Sequence, residues 1–415
     1  MDTIQLSRKL KGFFDYFYEI PHAVPGWDLQ ELRAISNCIL NGQVISGPHT
    51  KRLEEKIKGI LGVPYVLSVN SGRSAIEVAL RTLGLKRGDE VIVPSFCCMA
   101  AVLPIARTGC DPVFADVDET CNMDPEKLRG LISSKTRAIL VPHLFGRPAR
   151  IDEICKLAEE YSLFVIDDAA QSFGATLYGK PVGISGDLGI LSFGPGKTLV
   201  ATGGGLLVTN KESIFLKAKA MFFPQQVYST KLSRLIHFVL NRRYRKMTLP
   251  FYVLANFFRR KDYPQQADSN NYVIEQMANV DAAIGLVQLS KFDQIVQKRI
   301  RYAEYLTDRL EKWEFITPPP FPIKGSIYTK YIVQLRRAEF REPLMRFLHS
   351  KGIEVQETYT PLHLHEMRNY SRGPLPVTEK LWDKLLPLSN EPSMSFNELD
   401  YLVNALYSFR GNSGK

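Results

Sequence analysis

The chain has 415 residues, 45% hydrophobic and 23% charged, an ordinary globular composition with length for a large cored domain plus a smaller one. A formal net charge of +10 would admit nucleic acid, an anionic membrane or phosphorylated substrates, yet nine basic residues lie between Lys231 and Lys261 with no acidic residue among them. The remainder is close to neutral, which excludes a protein-wide nucleic-acid surface, and six cysteines without metal-ligand spacing offer neither a zinc site nor a secreted disulfide framework.

Residues 1–24 carry no apolar run long enough for a signal peptide or a membrane span, so a reduced, cytoplasmic protein is expected. Short Val-, Ile- and Leu-rich runs at 65–69, 90–94, 112–117, 138–143, 163–167, 188–193 and 204–210 then read as buried strands. Helical patterns such as "SAIEVALRTLG" and "IDEICKLAEEYS" separate several of them. That alternation predicts an α/β fold with a mostly parallel sheet between helices, whose ligands sit outside the carboxyl ends of the strands. Over 222–270 a basic segment interrupts the pattern. Leu232, Leu235, Ile236, Val239 and Leu240 fall at helical spacing on one face, with Lys231, Arg234 and Arg242 mostly off it. Such a helix suits packing on its own protein or a dimer mate, or contact with an anionic membrane at the cytoplasmic face. From about Met277 one long helical pattern runs through 280–313, followed by "YTKYIVQL", "EPLMRFLHSKGI" and "FNELDYLVNALYSF", the order of a smaller C-terminal α+β domain. The expected division is an N-terminal segment 1–24, a large domain 25–275 with the basic insertion, and a linking helix with the small domain over 276–415.

Four stretches at predicted strand ends carry chemistry. In "VNSGRSAIEVAL", Ser71, Gly72, Arg73 and Ser74 open a helix, where free backbone N–H groups suit a phosphate, although Ser71 or Ser74 could simply cap it. In "LFVIDDAAQSFGA", Asp168 follows an apolar strand and would require a cationic partner, with Asp167 competing for that role. In "LSFGPGKTL", a Gly-Pro-Gly turn holds Lys197 at a strand end, where desolvation would make its amine nucleophilic, and Ser192 stands five positions before it. In "AILVPHLFGRP", His143 ends another strand and reads equally as a structural histidine or one of the active site.

Together with "ISGPHTKRLEEKI", "PVFADVD", "AAIGLVQL" and "TPLHLH", these blocks resemble the DegT-type sugar aminotransferases from about Pro25 to Phe409. The resemblance implies the pyridoxal 5′-phosphate (PLP) dependent transferase fold of type I and a shared plan: Lys197 holding PLP as a Schiff base, Asp168 pairing with its pyridine nitrogen, Gln171 near its ring hydroxyl, and Ser192 with Ser71–Gly72–Arg73 on its phosphate. Three positions depart from the family pattern. Arg73 replaces a usual threonine, Cys98 stands where an aromatic residue stacks on the ring, and "YVIEQMANVDAAIG" replaces the block that brings a partner subunit to the phosphate.

The implied chemistry is a ping-pong transfer of an amino group from glutamate or glutamine to a nucleotide-linked keto-sugar in glycan biosynthesis, by a homodimer with its site near the interface. Two other readings accompany it. One is a PLP-dependent sugar dehydratase, against which Lys197 argues, since such relatives commonly carry histidine there. The other is a catalytically silent or regulatory protein of the same fold at a membrane.

Overall fold

The computed structural model describes residues 20, 22, 26–221, 223–240, 272–317, 323–365 and 367–410. In chain order its elements are α1 (Leu29–Leu40), α2 (His49–Leu61), β1 (Tyr65–Val69), α3 (Gly72–Thr82), β2 (Glu90–Pro94), α4 (Met99–Arg107), β3 (Asp111–Ala115), β4 (Thr136–Pro142), α5 (Ile151–Glu160), β5 (Phe164–Asp168), β6 (Thr176–Leu177), β7 (Lys180–Pro181), β8 (Leu188–Ser192) and β9 (Gly205–Thr209). There follow α6 (Glu212–Lys219), α7 (Tyr228–Leu240), α8 (Asn279–Ser290), α9 (Phe292–Leu310), β10 (Ile316–Thr317), β11 (Tyr331–Leu335), α10 (Arg341–Ser350), α11 (Pro376–Leu381), β12 (Leu385–Leu388) and α12 (Phe396–Ser408).

The seven predicted runs are the seven strands of one sheet, ordered β1-β9-β8-β5-β4-β2-β3. From β8 to β3 all neighbours pair in parallel, and β9 alone is reversed against β8 and β1. Successive residues serve opposite faces. Val91 and Val93 pack under α3 and α4, whereas Ile92 joins Ile154 and Leu157 of α5 on the other side. Burial on both faces is why these strands read as continuous apolar runs rather than alternating ones. One consequence governs the site: the carboxyl ends of β1, β2, β4, β5 and β8 share one edge of the sheet.

The long helical pattern at 280–313 is two helices. Lys291 leaves the helical conformation (φ −107°, ψ 7°), and its ammonium pairs with Asp28 and Glu31. The bend lets the chain change partners: α8 packs with α1 and α2 against the large sheet, and α9 against α12 in a second core. That core covers the antiparallel sheet β10-β11-β12 and takes in Ile20, which bridges Ile353.

The described part of the basic segment, α7, packs on its own protein. Leu235 is buried, and the Phe238 ring lies 4.7 Å from that of Trp27. The inward face is nevertheless rotated from the expected one: Lys231 is buried in an ion pair with Asp281, while Ile236 is 52% exposed. A buried carboxylate on α8 draws the lysine in, an outcome that hydrophobic spacing alone does not encode. The rest of the predicted basic segment, residues 222 and 241–270, lies outside the described residues. Among the described residues, no helix is long and apolar enough to cross a membrane.

Candidate active site

At the shared sheet edge, the turn after β1 meets the end of β8. Ser71 caps α3, its hydroxyl accepting the Ser74 N–H at 3.1 Å. Gly72 opens the helix so close to Ser192 that a Cβ there would lie 2.9 Å from the serine Cβ and 3.2 Å from its Oγ. A helix N-terminus and two serine hydroxyls therefore border one small space, with backbone N–H groups and the positive end of the helix dipole directed at it. The Arg73 guanidinium lies 5.0 Å from the ring centroid of Tyr272, whose hydroxyl donates to the buried Glu77.

Asp167 and Asp168, adjacent at the end of β5, divide their work. Asp167 accepts from the Ser185 N–H at 2.9 Å and binds His143 Nε2 at 2.5 Å. His143 Nδ1 accepts the Ala149 N–H at 2.8 Å, so the ring proton sits on Nε2 and is donated to Asp167. Both nitrogens of this fully buried ring are engaged by protein, which gives His143 an orienting place behind the strand end. Asp168 is 5% exposed and accepts the Ala170 N–H at 2.9 Å. Burial pushes its carboxyl above the ordinary aspartate range, while the Ala170 N–H and the nearby Lys197 ammonium pull the other way. Lys197, half-buried, follows Gly196 in the turn after β8, and the neighbouring Thr198 hydroxyl lies 3.3 Å from that of Thr329.

Gln171, also buried, accepts from the Phe145 N–H at 3.5 Å and hydrogen-bonds the hydroxyl of Tyr359. The half-buried Tyr359 ring stacks on Phe145, at 6.0 Å and 8°, and meets the edge of Phe96 at 5.9 Å. Burial first, then the Cys98 and Cys97 thiols, push the Tyr359 phenol above its ordinary value. Cys98 is half-buried at the start of α4, where it makes no capping hydrogen bond. Beneath this edge, Ser95 Oγ lies 2.6 Å from His363 Nδ1, and His363 Nε2 lies 3.1 Å from Glu379, tying the end of β2 to the "TPLHLH" block.

Two residues at this edge escaped the sequence reading, Tyr359 and Lys330. Gly146, at φ +83°, brings its backbone so near Thr329 that a Cβ would stand 2.4 Å from the threonine N, and Lys330 N–H donates to Phe145 O at 3.4 Å. The approach to β11 is thereby pressed into the site. A charged residue inside the apolar run "YTKYIVQL" was the available signal for Lys330.

A lysine and a buried aspartate at the carboxyl edge of a mostly parallel α/β sheet, beside an anion cradle, define the site of a PLP-type transferase fold. The chain belongs to the DegT/DnrJ/EryC1/StrS aminotransferase family, whose profile matches residues 27–407. This family is PLP-dependent. The chain is 29% identical over 394 residues to a GDP-perosamine synthase of Escherichia coli O157:H7, with 94% of this chain and 98% of that protein covered. It is 30% identical over 404 residues to a pleiotropic regulatory protein of Geobacillus stearothermophilus, covering 93% and 98%. The crystal structure of the aminotransferase TlmJ from Streptoalloteichus hindustanus is similar at a TM-score of 0.76 and 26% identity, covering 94% and 98%.

Proposed function

We propose that this protein is a PLP-dependent aminotransferase that moves an amino group from glutamate or glutamine to a nucleotide-linked keto-sugar, acting as a homodimer in glycan biosynthesis. The observation that carries the reading is the buried Asp168 beside Lys197, next to the Gly72–Ser192 cradle. The residues present fit the cofactor. Its phosphate suits the Ser71 and Ser192 hydroxyls and the first-turn N–H groups of α3, including that of Arg73. Its protonated ring nitrogen would offset the cost of burying Asp168. Bound there, PLP supplies the electron sink that makes the donor's Cα–H bond breakable.

The protein's own part is positioning and proton transfer. Asp168 would accept a hydrogen bond from the ring nitrogen and keep it protonated. His143 holds the neighbouring Asp167 and with it the end of β5. Gln171 would meet the ring hydroxyl, with Tyr359, which it holds, and Cys98 nearby. Lys197 Nζ would take the proton from the donor's Cα as general base and deliver it to the cofactor's C4′ as general acid, the same transfer running in reverse in the sugar half-reaction.

The test is the visible absorption of the PLP-incubated protein before and after glutamate, with Lys197→Ala and Asp168→Asn alongside. The wild type should show a cofactor band that glutamate converts. Lys197→Ala should lose that native band, and Asp168→Asn should slow conversion by at least about a hundredfold. Failure of the wild type to take up PLP would reject the assignment in favour of a silent protein of the same fold. A band unmoved by any amino donor would reject transamination while leaving cofactor binding.

A further inference from the structure

Lys330 enters the site from the second sheet and sits between its two halves. On one side it lines a small cavity with Gly196, the residue before Lys197, and with Thr329 and Glu391. On the other, its ammonium lies 5.9 Å from the Tyr359 ring centroid, over the aromatic group that Gln171 holds. Its side chain is half-buried, and among the described residues its Nζ makes no hydrogen bond or ion pair. Glu391 offsets its charge only in part, without forming an ion pair with it. Glu391 is committed to Arg299 at 2.8 Å, and the buried His22 is held neutral, its pKa lowered to about 3 by burial and then by Lys330. Burial first, then Lys197, push the Lys330 ammonium below its ordinary value. A cation in this position costs free energy unless an anion arrives to meet it.

We infer that Lys330 is the donor-carboxylate anchor of this site: beside Lys197 and over Tyr359, it receives the α-carboxylate of the amino-acid donor. The inference rests on the aminotransferase reading. Chemistry selects the anion. Lys197 must reach the donor's Cα, and the α-carboxylate is bonded directly to that carbon, so a cation next to Lys197 meets it first. The charged groups of a nucleotide-sugar are separated from its reacting carbonyl by the sugar ring. The cofactor's phosphate has its own cradle at Ser71, Gly72 and Ser192. Lys330 is therefore a specificity-determining residue for the first half-reaction. The keto-sugar half-reaction should depend on it much less.

The experiment compares PLP-loaded wild type, Lys330→Met and Lys330→Arg. Glutamate-driven conversion of the visible band is measured across glutamate concentrations, and the shift in melting temperature caused by glutarate, an unreactive dicarboxylate, is measured separately. Lys330→Met should raise the half-saturating glutamate concentration by about tenfold or more, as expected for losing a charge-assisted hydrogen bond. Its limiting rate should change far less, Lys330→Arg should recover most of the affinity, and the glutarate shift should disappear in Lys330→Met alone. Unchanged glutamate saturation overturns the inference. So does an effect confined to the keto-sugar half-reaction, or a glutarate shift that is equal in all three proteins or missing from wild type. A wild type without the PLP band rejects the underlying aminotransferase reading instead, and this inference falls with it.

Discussion

Replacing Lys231 with Met separates the contribution of a buried ion pair from that of the helix carrying it. Both side chains are essentially inaccessible, at 1% and 0% exposure. Asp281 would retain only the Thr202 hydroxyl, at 2.6 Å, of these two partners. The methionine fills much the same volume, so the penalty comes from the orphaned carboxylate rather than a cavity. Removing one partner of a buried pair typically costs about 3–5 kcal/mol. Proton uptake sets a ceiling: neutralising an aspartate of ordinary pKa at pH 7 costs about 4 kcal/mol, and at pH 5 about 1.5 kcal/mol. The variant that folds with a neutral carboxyl binds one more proton than its unfolded chain, so its stability falls as pH rises above the ordinary aspartate value. The Lys231→Met penalty should therefore shrink by up to about 2.7 kcal/mol between pH 7 and pH 5. Equilibrium urea unfolding of both proteins at the two pH values, followed by far-ultraviolet circular dichroism, measures it. A penalty below about 1 kcal/mol at pH 7, or one that does not shrink on acidification, would refute the reasoning.

Gly72→Ala should weaken PLP binding measurably in a cofactor titration, because a Cβ 2.9 Å from the Ser192 Cβ forces α3 and β8 apart at the cradle. Overpacking of about 1–3 kcal/mol should outweigh the smaller helix-propensity gain, and unaltered PLP affinity would place the phosphate elsewhere. His143→Ala strands the Ala149 N–H and the Asp167 carboxylate together with a cavity. It should cost about 3–5 kcal/mol of stability in urea and slow the glutamate half-reaction, whereas a loss of activity at full stability would instead give His143 a direct chemical role.

Local pattern made much of this protein legible. Buried strands advertise themselves as short apolar runs, and Gly and Pro mark where they stop, so the edge carrying Lys197, Asp168, Ser192 and Gly72 could be located from residue order alone. The division between Asp167 and Asp168 illustrates where that reading ends. Neighbours in a strand must point to opposite faces, but only the packed sheet shows that His143 waits behind one and Lys197 stands before the other. The break of the long helix at Lys291 and the inward turn of Lys231 likewise answer to carboxylates distant in the chain, Glu31 and Asp281. Lys330 and Tyr359 reach the site through the second sheet and its connecting loops, more than 130 residues from Lys197 and Gln171 respectively. The sequence by itself determined the sheet, its working edge and the residue types offered there, because burial and turn chemistry are local. Which charges meet, and which cation is left open to a ligand, only the tertiary structure decided, because electrostatic partners are chosen by distance in space.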